Sequence, residues 1–447
     1  MSVTANKREW SRLDNVGNLF PAVQSDRITG LFRLSAVLDH VPLKGLVQEA
    51  LDRILPRFSY FNVEVVENLF WHTFIPAKHP LLVLPDTPNP NLPLNKDSNS
   101  RHPLRVRLFQ KRLSVEFHHS LTDGTGAMAF LRALLAEYFA LKGLTCQDYL
   151  DIPRPGSTIP PEEYEDSYSK LPYDPEIPLP SSRSPAFQHP GKILPKGEYR
   201  AILGILPLDL TLARAKARGL SLTEFLIGVY FLAWQEVFFL AKRSGKKTLG
   251  PIRMHIPVNL RRLYPSSTHL NFFLTIPLEL DPRLGQWSDA EVFEKVHHFM
   301  QIEVNPKSIR QQINANLRGV ILPYVRVLPL FLKKLFLRLF YHWGEKEQTS
   351  ALSNMGQVKM PKEIEPHIHR FEFLPPPSPG TRIAASVISY QNVLCIGIGR
   401  IAEGSWVEAA FFRRLREYGL PVKIETNLPK EEPWRSAPVA ESSSITT

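Results

Sequence analysis

Eleven prolines fall within residues 152–195, in runs such as IPRPGSTIPP and PYDPEIPLPSS. A locked φ and a missing backbone donor exclude core helix and central strand there. The chain is therefore expected as two parts, residues 1–151 and 196–425, joined by an extended connection over 152–195. Its 447 residues are in any case too many for one simple core. The last stretch, 426–447, has the polar composition of a disordered tail.

Helix and strand patterns alternate in both parts, which predicts a mixed α/β fold and leaves open whether its sheets are parallel. In the first part, PLKGLVQEALDRILPRF places Leu46, Val47, Ala50, Leu51, Ile54 and Leu55 on one helical face. PLRVRLFQKRLSVEFHH reads as a hairpin turning at Gln110 and Lys111. In the second part, YRAILGIL, IRMHIPVNL and NFFLTIPLEL read as strands. Ser221 with Glu224 and Ser288 with Glu291 form capping boxes that open two helices. IAASVISYQNVLCIGIGRI is a second hairpin, turning at Gln391 and Asn392.

Composition narrows the function classes. The formal charge is +11, yet no dense basic run with interleaved aromatics supports nucleic-acid binding. The charge is either solvated surface or a docking face for a phosphorylated ligand such as a coenzyme. Cys146 and Cys395 form neither a metal nor a redox pair, so a reduced, cytoplasmic protein is expected. The N-terminal residues lack the apolar core of a signal peptide. The longest apolar run, near 225–234, is about half of the ~20 residues a membrane span needs, and no transmembrane segment is expected.

The chemistry concentrates in LSVEFHHSLTDGTGAM, residues 113–128. Side chains alternate across a strand, so Leu113, Val115, Phe117 and His119 share one face. His118 falls on the other face, with Glu116. Thr122 and Asp123 are N-capping types ahead of an apolar helix carrying Met128, Leu131, Leu134, Leu135 and Tyr138 on one stripe. An inward, desolvated imidazole stays neutral near pH 7 and can accept a proton. A lone histidine of this kind is more often a satisfied core residue; the run His-His, three residues, Asp-Gly favours function. The chain carries its own control in His297 and His298, a pair inside a helix with no following Asp-Gly, which reads as solvated surface.

HHSLTDG resembles the HHxxxDG motif of the chloramphenicol-acetyltransferase-like superfamily, which includes condensation domains and wax-ester synthases. PVNLRRLYPSSTHLNFF (257–273) and ALSNMGQVKMP (351–361) are similar to second-lobe segments of that group. RFSYFNVEVVENLFW and VLPLFLKKLFLRLFYHWGE look most like its bacterial alcohol-acetyltransferase branch. The resemblance spans roughly residues 15–425 and implies two similar lobes with a tunnel between them. It implies His119 as general base, with His118 beside it as a structural member of the motif. Asp123 becomes a structural carboxylate paired with Arg261. Gly124 becomes a residue that leaves room for substrate and offers its N–H to a developing oxyanion. Ser353 and Asn354 become tunnel candidates.

The implied reaction moves an acetyl or longer acyl group from acyl-CoA, acetyl-CoA for instance, to an alcohol. N-acylation of an amine, a carrier-protein donor and a non-catalytic two-lobed binding protein are the alternatives. The plant-type DFGWG stretch is absent, and no carrier-protein domain is fused within the 447 residues. No G-x-S-x-G elbow offers a covalent route. PHIHRF lacks further clustered ligands, so no metal is expected. GIGRIAEG has neither the spacing nor the context of a dinucleotide loop. VRVLPLFLKKLFLRLFYHW is expected as a core helix with Lys333, Lys334 and Arg338 reaching outward. A peripheral membrane contact or an entrance for a hydrophobic acceptor is its sharper reading.

Overall fold

The computed structural model describes residues 11–14, 16–93, 102–245, 249–321, 328–376 and 378–427. The first 151 residues supply β1 (Ser11–Arg12), α1 (Leu19–Val23), β2 (Leu31–Leu38), α2 (Lys44–Ile54), β3 (Val63–Glu67), β4 (His72–Pro76), β5 (Val83–Pro85), β6 (Leu104–Phe109), β7 (Arg112–His118) and α3 (Gly124–Leu141). After the connection come β8 (Arg200–Pro207), α4 (Leu208–Lys216), α5 (Leu222–Arg243), β9 (Ile252–Asn259), β10 (Phe273–Leu280), α6 (Asp289–Glu303), α7 (Pro306–Ile321) and α8 (Leu330–Lys346). The chain continues through β11 (Ser350–Val358), β12 (Ile368–Leu374), β13 (Ile383–Tyr390), β14 (Val393–Arg400), α9 (Trp406–Glu417) and β15 (Lys423–Thr426).

Among the described residues these strands make a five-stranded sheet, β12-β2-β7-β6-β5, and a seven-stranded sheet, β10-β9-β11-β13-β14-β8-β15. A small sheet, β1-β4-β3, stands apart. The fold is mixed α/β and two-lobed. Within the large sheet, β11 lies parallel to β9 and β13, while β13, β14 and β8 are antiparallel. Both expected hairpins form, and the first residue of each turn, Gln110 and Gln391, takes a left-handed φ of 49° and 48°.

Two apolar cores follow from strand alternation. In the first, Leu113, Val115 and Phe117 of β7 meet Ala50, Leu51 and Ile54 of α2 and Leu131, Leu134 and Leu135 of α3. In the second, Ile252, Met254 and Ile256 of β9 pack with the apolar length of α5. Both capping boxes form, with Ser221 accepting from the Glu224 N–H and Ser288 from the Glu291 N–H. Helix α5 is long and apolar enough to cross a membrane by composition alone, but 83% of its most apolar window is buried. It is the central helix of the second core, which explains an apolar run longer than a surface helix carries.

The lobes are not contiguous in sequence. Strand β12 belongs to 196–425 by position, yet it pairs with β2 in the first sheet, from Ile368↔Leu38 to Leu374↔Arg33. Its Phe371 and Phe373 complete the first core, so hydrophobic burial rather than chain order sets the boundary. The first two residues of the tail expected over 426–447 are instead part of the fold: Thr426 pairs with Ile202, and the Asn427 side chain accepts from the Ala201 N–H. Residues 428–447 lie outside the described residues. The connection is extended apart from short turns at Pro161–Tyr164 and Ser167–Lys170. It grips both parts: Glu163 takes a bidentate pair from Arg57, and the Phe187 N–H donates to Pro251.

Candidate functional site

His119 leaves the end of β7 at the seam between the lobes. Its backbone N–H donates to Gly30 O at 2.9 Å, which fixes the chain where the strand stops. The imidazole stacks on Phe20 of α1 at 4.8 Å between ring centres, lies 4.6 Å from Phe32 of β2 and 5.9 Å from Phe273 of β10. Its Nδ1 is buried without a hydrogen-bond partner, while the residue as a whole keeps partial exposure. Burial holds this imidazole down at about 4, against the opposing pull of the Asn271 side chain and the Asp123 charge. The ring is neutral at pH 7, as a proton acceptor must be.

His118 is chemically distinct from its neighbour. Its Nδ1 meets Ser120 Oγ at 2.8 Å, and burial, with His119 and Arg105 beside it, holds it down at about 3. Gly30 makes room for this ring: its φ is +62°, and a Cβ there would lie 2.8 Å from His118 Nε2. On the same strand face Glu116 is buried but paired, with Arg33 at 2.6 Å and Arg107 at 3.3 Å. The polar face of β7 is thus as dry as its apolar face.

Asp123 is fully engaged. Oδ1 caps α3, accepting from the Thr125 N–H at 2.9 Å and the Gly126 N–H at 3.4 Å. Oδ2 accepts from Arg261 Nη1 at 2.7 Å and from the Phe272 N–H at 3.0 Å. The remaining guanidinium donors close onto Thr268 O and Leu270 O. One carboxylate therefore fastens the helix that follows His119 to the β9–β10 loop of the other lobe. Arg262, its sequence neighbour, is exposed. Thr122 adds a second link, donating to His269 O at 2.5 Å.

Sequence reasoning missed what lies behind the imidazole. Asn271 is fully buried, and its amide donates to His119 O at 2.8 Å and to Asp14 Oδ2 at 2.8 Å. These bonds orient the amide and leave Oδ1 buried and unpartnered, like His119 Nδ1. Asp14 also accepts from the Gly17 and Asn271 N–H groups, and burial pushes its carboxyl up to about 7. Asn271 lies inside the matched segment THLNFF; nothing local marks Asp14 or Phe20, because their roles arise only when α1 folds over the strand end.

Gly124 and Asn354 make contacts that the resemblance does not imply. The space beside Gly124 is taken by protein: a Cβ there would lie 2.4 Å from Met355 Sδ, brought across by β11. The glycine admits Met355 rather than substrate at this point. Asn354 points to the helical side of its sheet, donating to Thr223 Oγ1 at 2.8 Å and accepting from the Gly356 N–H at 2.8 Å. It shapes the bulge in β11. Ser353, paired in register with Ser386, takes the opposite face and remains half-buried toward the seam. Among the described residues, no cluster of three His, Cys, Asp or Glu side chains could hold a metal ion.

No family model matches the sequence, and no curated protein matches it. Solved structures do share the fold. The starter condensation domain of rhizomide synthetase in complex with C8-CoA aligns at TM-score 0.55 and 13% identity, over 91% of this chain and 93% of that one. Polyketide synthase associated protein 5 from Mycobacterium tuberculosis aligns at 0.54 and 12%, over 91% and 96%. A wax ester synthase/diacylglycerol acyltransferase from Marinobacter aquaeolei VT8 aligns at 0.51 and 14%, over 92% and 100%. At such identities the likeness is one of fold.

Proposed function

We propose that this chain is an acyltransferase that moves an acetyl or longer acyl group from an acyl-CoA thioester to an alcohol hydroxyl. The observation that carries this reading is a neutral imidazole at the lobe seam, walled by Phe20, Phe32 and Phe273 and backed by Asn271. In the proposed step, His119 accepts the hydroxyl proton as the alcohol oxygen attacks the thioester carbonyl. The tetrahedral intermediate collapses, the C–S bond breaks, and the imidazolium returns the proton to the departing thiolate. General-base action of this type contributes ~10²–10⁴ in rate. In this reading the Gly124 N–H, at the first turn of α3, would donate to the developing oxyanion.

The aromatic walls favour an apolar acceptor over a charged one. A fold shared with a wax ester synthase and with a domain crystallised with C8-CoA supports both ester formation and a CoA donor. Two free, buried cysteines support the cytoplasm as the compartment. The test is acceptor-dependent thiol release from acetyl-CoA and longer acyl-CoAs against a panel of alcohols and amines, with the product identified by mass. Ester formation is expected. Amide formation would move the reading to N-acylation. No release from any acyl-CoA, with release from an acylated carrier protein, would replace the donor. Silence with both would leave a two-lobed binding protein.

A further inference from the structure

Helix α8 is built inside out. Its large apolar residues Phe331, Leu335, Phe336, Leu339, Phe340 and Trp343 are between 48% and 69% exposed. Three of its basic residues reach toward the protein instead. Lys333 is buried over the Trp71 ring at 3.4 Å and donates to Phe70 O; Lys334 pairs with Glu67 at 2.6 Å; Arg338 donates to Ala22 O. The core-helix expectation is thereby overturned. An amphipathic pattern defines two faces, and here α1 and the β3–β4 hairpin accept cationic side chains through carbonyl groups, one indole and the Glu67 carboxylate, leaving the apolar arc outside.

The apolar arc does not end with the helix. The Leu330 N–H donates to Leu69 O, which seats the β3–β4 turn against α8, and Leu69 and Phe70 of that turn are 68% and 41% exposed. Along one flank of the arc Arg338 and Lys346 are exposed, with the exposed His342 between them at four-residue spacing, while Lys334 on the same row is paired with Glu67. The one carboxylate within the helix, Glu345, is buried. Bulky apolar and aromatic groups beside a cationic flank are the chemistry of a helix lying in a lipid interface, with its rings among acyl chains and its cations at anionic headgroups.

We infer that α8, with Leu69 and Phe70, is a docking surface for anionic lipid bilayers. The charge row decides between occupants: a second copy would bring two rows of the same sign together, whereas a bilayer bearing phosphate headgroups matches them. The formal charge of +11 acts in the same direction at long range. The surface adjoins the site, because Arg338 holds α1 and Phe20 of α1 stacks on His119. The inference does not depend on the acyl-transfer reading.

The test is co-sedimentation of the full chain with phosphatidylcholine vesicles, with and without phosphatidylglycerol. The wild type is expected to sediment with the anionic vesicles and to be released by salt. Phe336→Ser combined with Phe340→Ser is expected to weaken that partition at least tenfold with unchanged circular dichroism and melting. Lys346→Glu is expected to weaken it less. The inference falls if the wild type stays in the supernatant, or if the double variant sediments equally. It also falls if the wild type is a dimer that the double variant dissolves while vesicles bind neither. A wild type that releases thiol but binds no vesicles would overturn this surface alone.

Discussion

The chain contains the dipeptide His-His twice, and the two copies share almost nothing. His118 and His119 stand at the end of a strand buried on both faces, the first ring fully buried and the second partly exposed at the lobe seam. His297 and His298 lie on α6 with side chains 36% and 61% exposed, near Glu224 at 3.0 Å and Glu294 at 3.7 Å. Residue type is constant between the pairs; what differs is backbone and neighbours. A strand sends adjacent side chains to opposite faces, so two imidazoles acquire two environments. A helix leaves its adjacent pair at the same surface. The Asp-Gly turn after the first pair then brings the second lobe to it.

The contrast breaks most severely at Asp123. Asp123→Ala leaves Arg261 and the Phe272 N–H without their carboxylate, and Arg261→Ala leaves the carboxylate without its cation. Either change should cost ~3–5 kcal/mol in denaturant unfolding and lower activity as well. A double-mutant cycle should show strong coupling between the two positions. His119→Ala should lower acceptor-dependent turnover by ~10²–10⁴ with cooperative unfolding retained.

Asn271→Ala should act more mildly on turnover than His119→Ala, through looser placement of the imidazole. Asn271→Asp would put a second carboxylate against Asp14. Melting curves and KM against kcat measured side by side separate these effects: a positioning role moves kcat, a purely structural one moves only melting.

Acid should sharpen the comparison further. The native values of about 3 and about 4 for His118 and His119 lie below the ordinary 6.5, so protons enter the unfolded chain first. Their contribution to stability is complete above about pH 6.5 and declines as pH falls from there toward 4. Asp14, raised to about 7 from 3.8, acts oppositely: its burial costs stability as pH rises through that range. In urea titrations between pH 4 and 7, His119→Ala should flatten the acid-side loss and Asp14→Asn should raise stability at the neutral end. Activity should carry no acid limb from His119 above pH 5. The smallest effect belongs to the surface pair, where His298→Ala should change stability by less than ~0.5 kcal/mol and leave turnover unchanged.

What the sequence made legible was local. Alternation along 104–118, the capping boxes at Ser221 and Ser288 and the turns at Gln110 and Gln391 each depend on residues a few positions apart. The Asp123–Arg261 contact spans 138 positions, and only the family resemblance suggested it. The rest depended on tertiary placement. Amphipathicity announced α8 but could not say which face would be covered. A glycine promised space beside the motif but not that Met355 would fill it. Strand β12 crosses to the first sheet because two phenylalanines complete a core formed mostly by residues more than two hundred positions earlier. Asp14 and Phe20 lie where nothing nearby suggests a role.

The central claim is that His119 is a neutral general base rather than a core histidine. It is tested most directly by thiol release from acyl-CoA, with the accepting alcohol saturating, for wild type and His119→Ala at matched folded fractions. The account predicts a fall of ~10²–10⁴ in the variant. A variant that turns over within a few-fold of wild type, or that no longer folds, would contradict it.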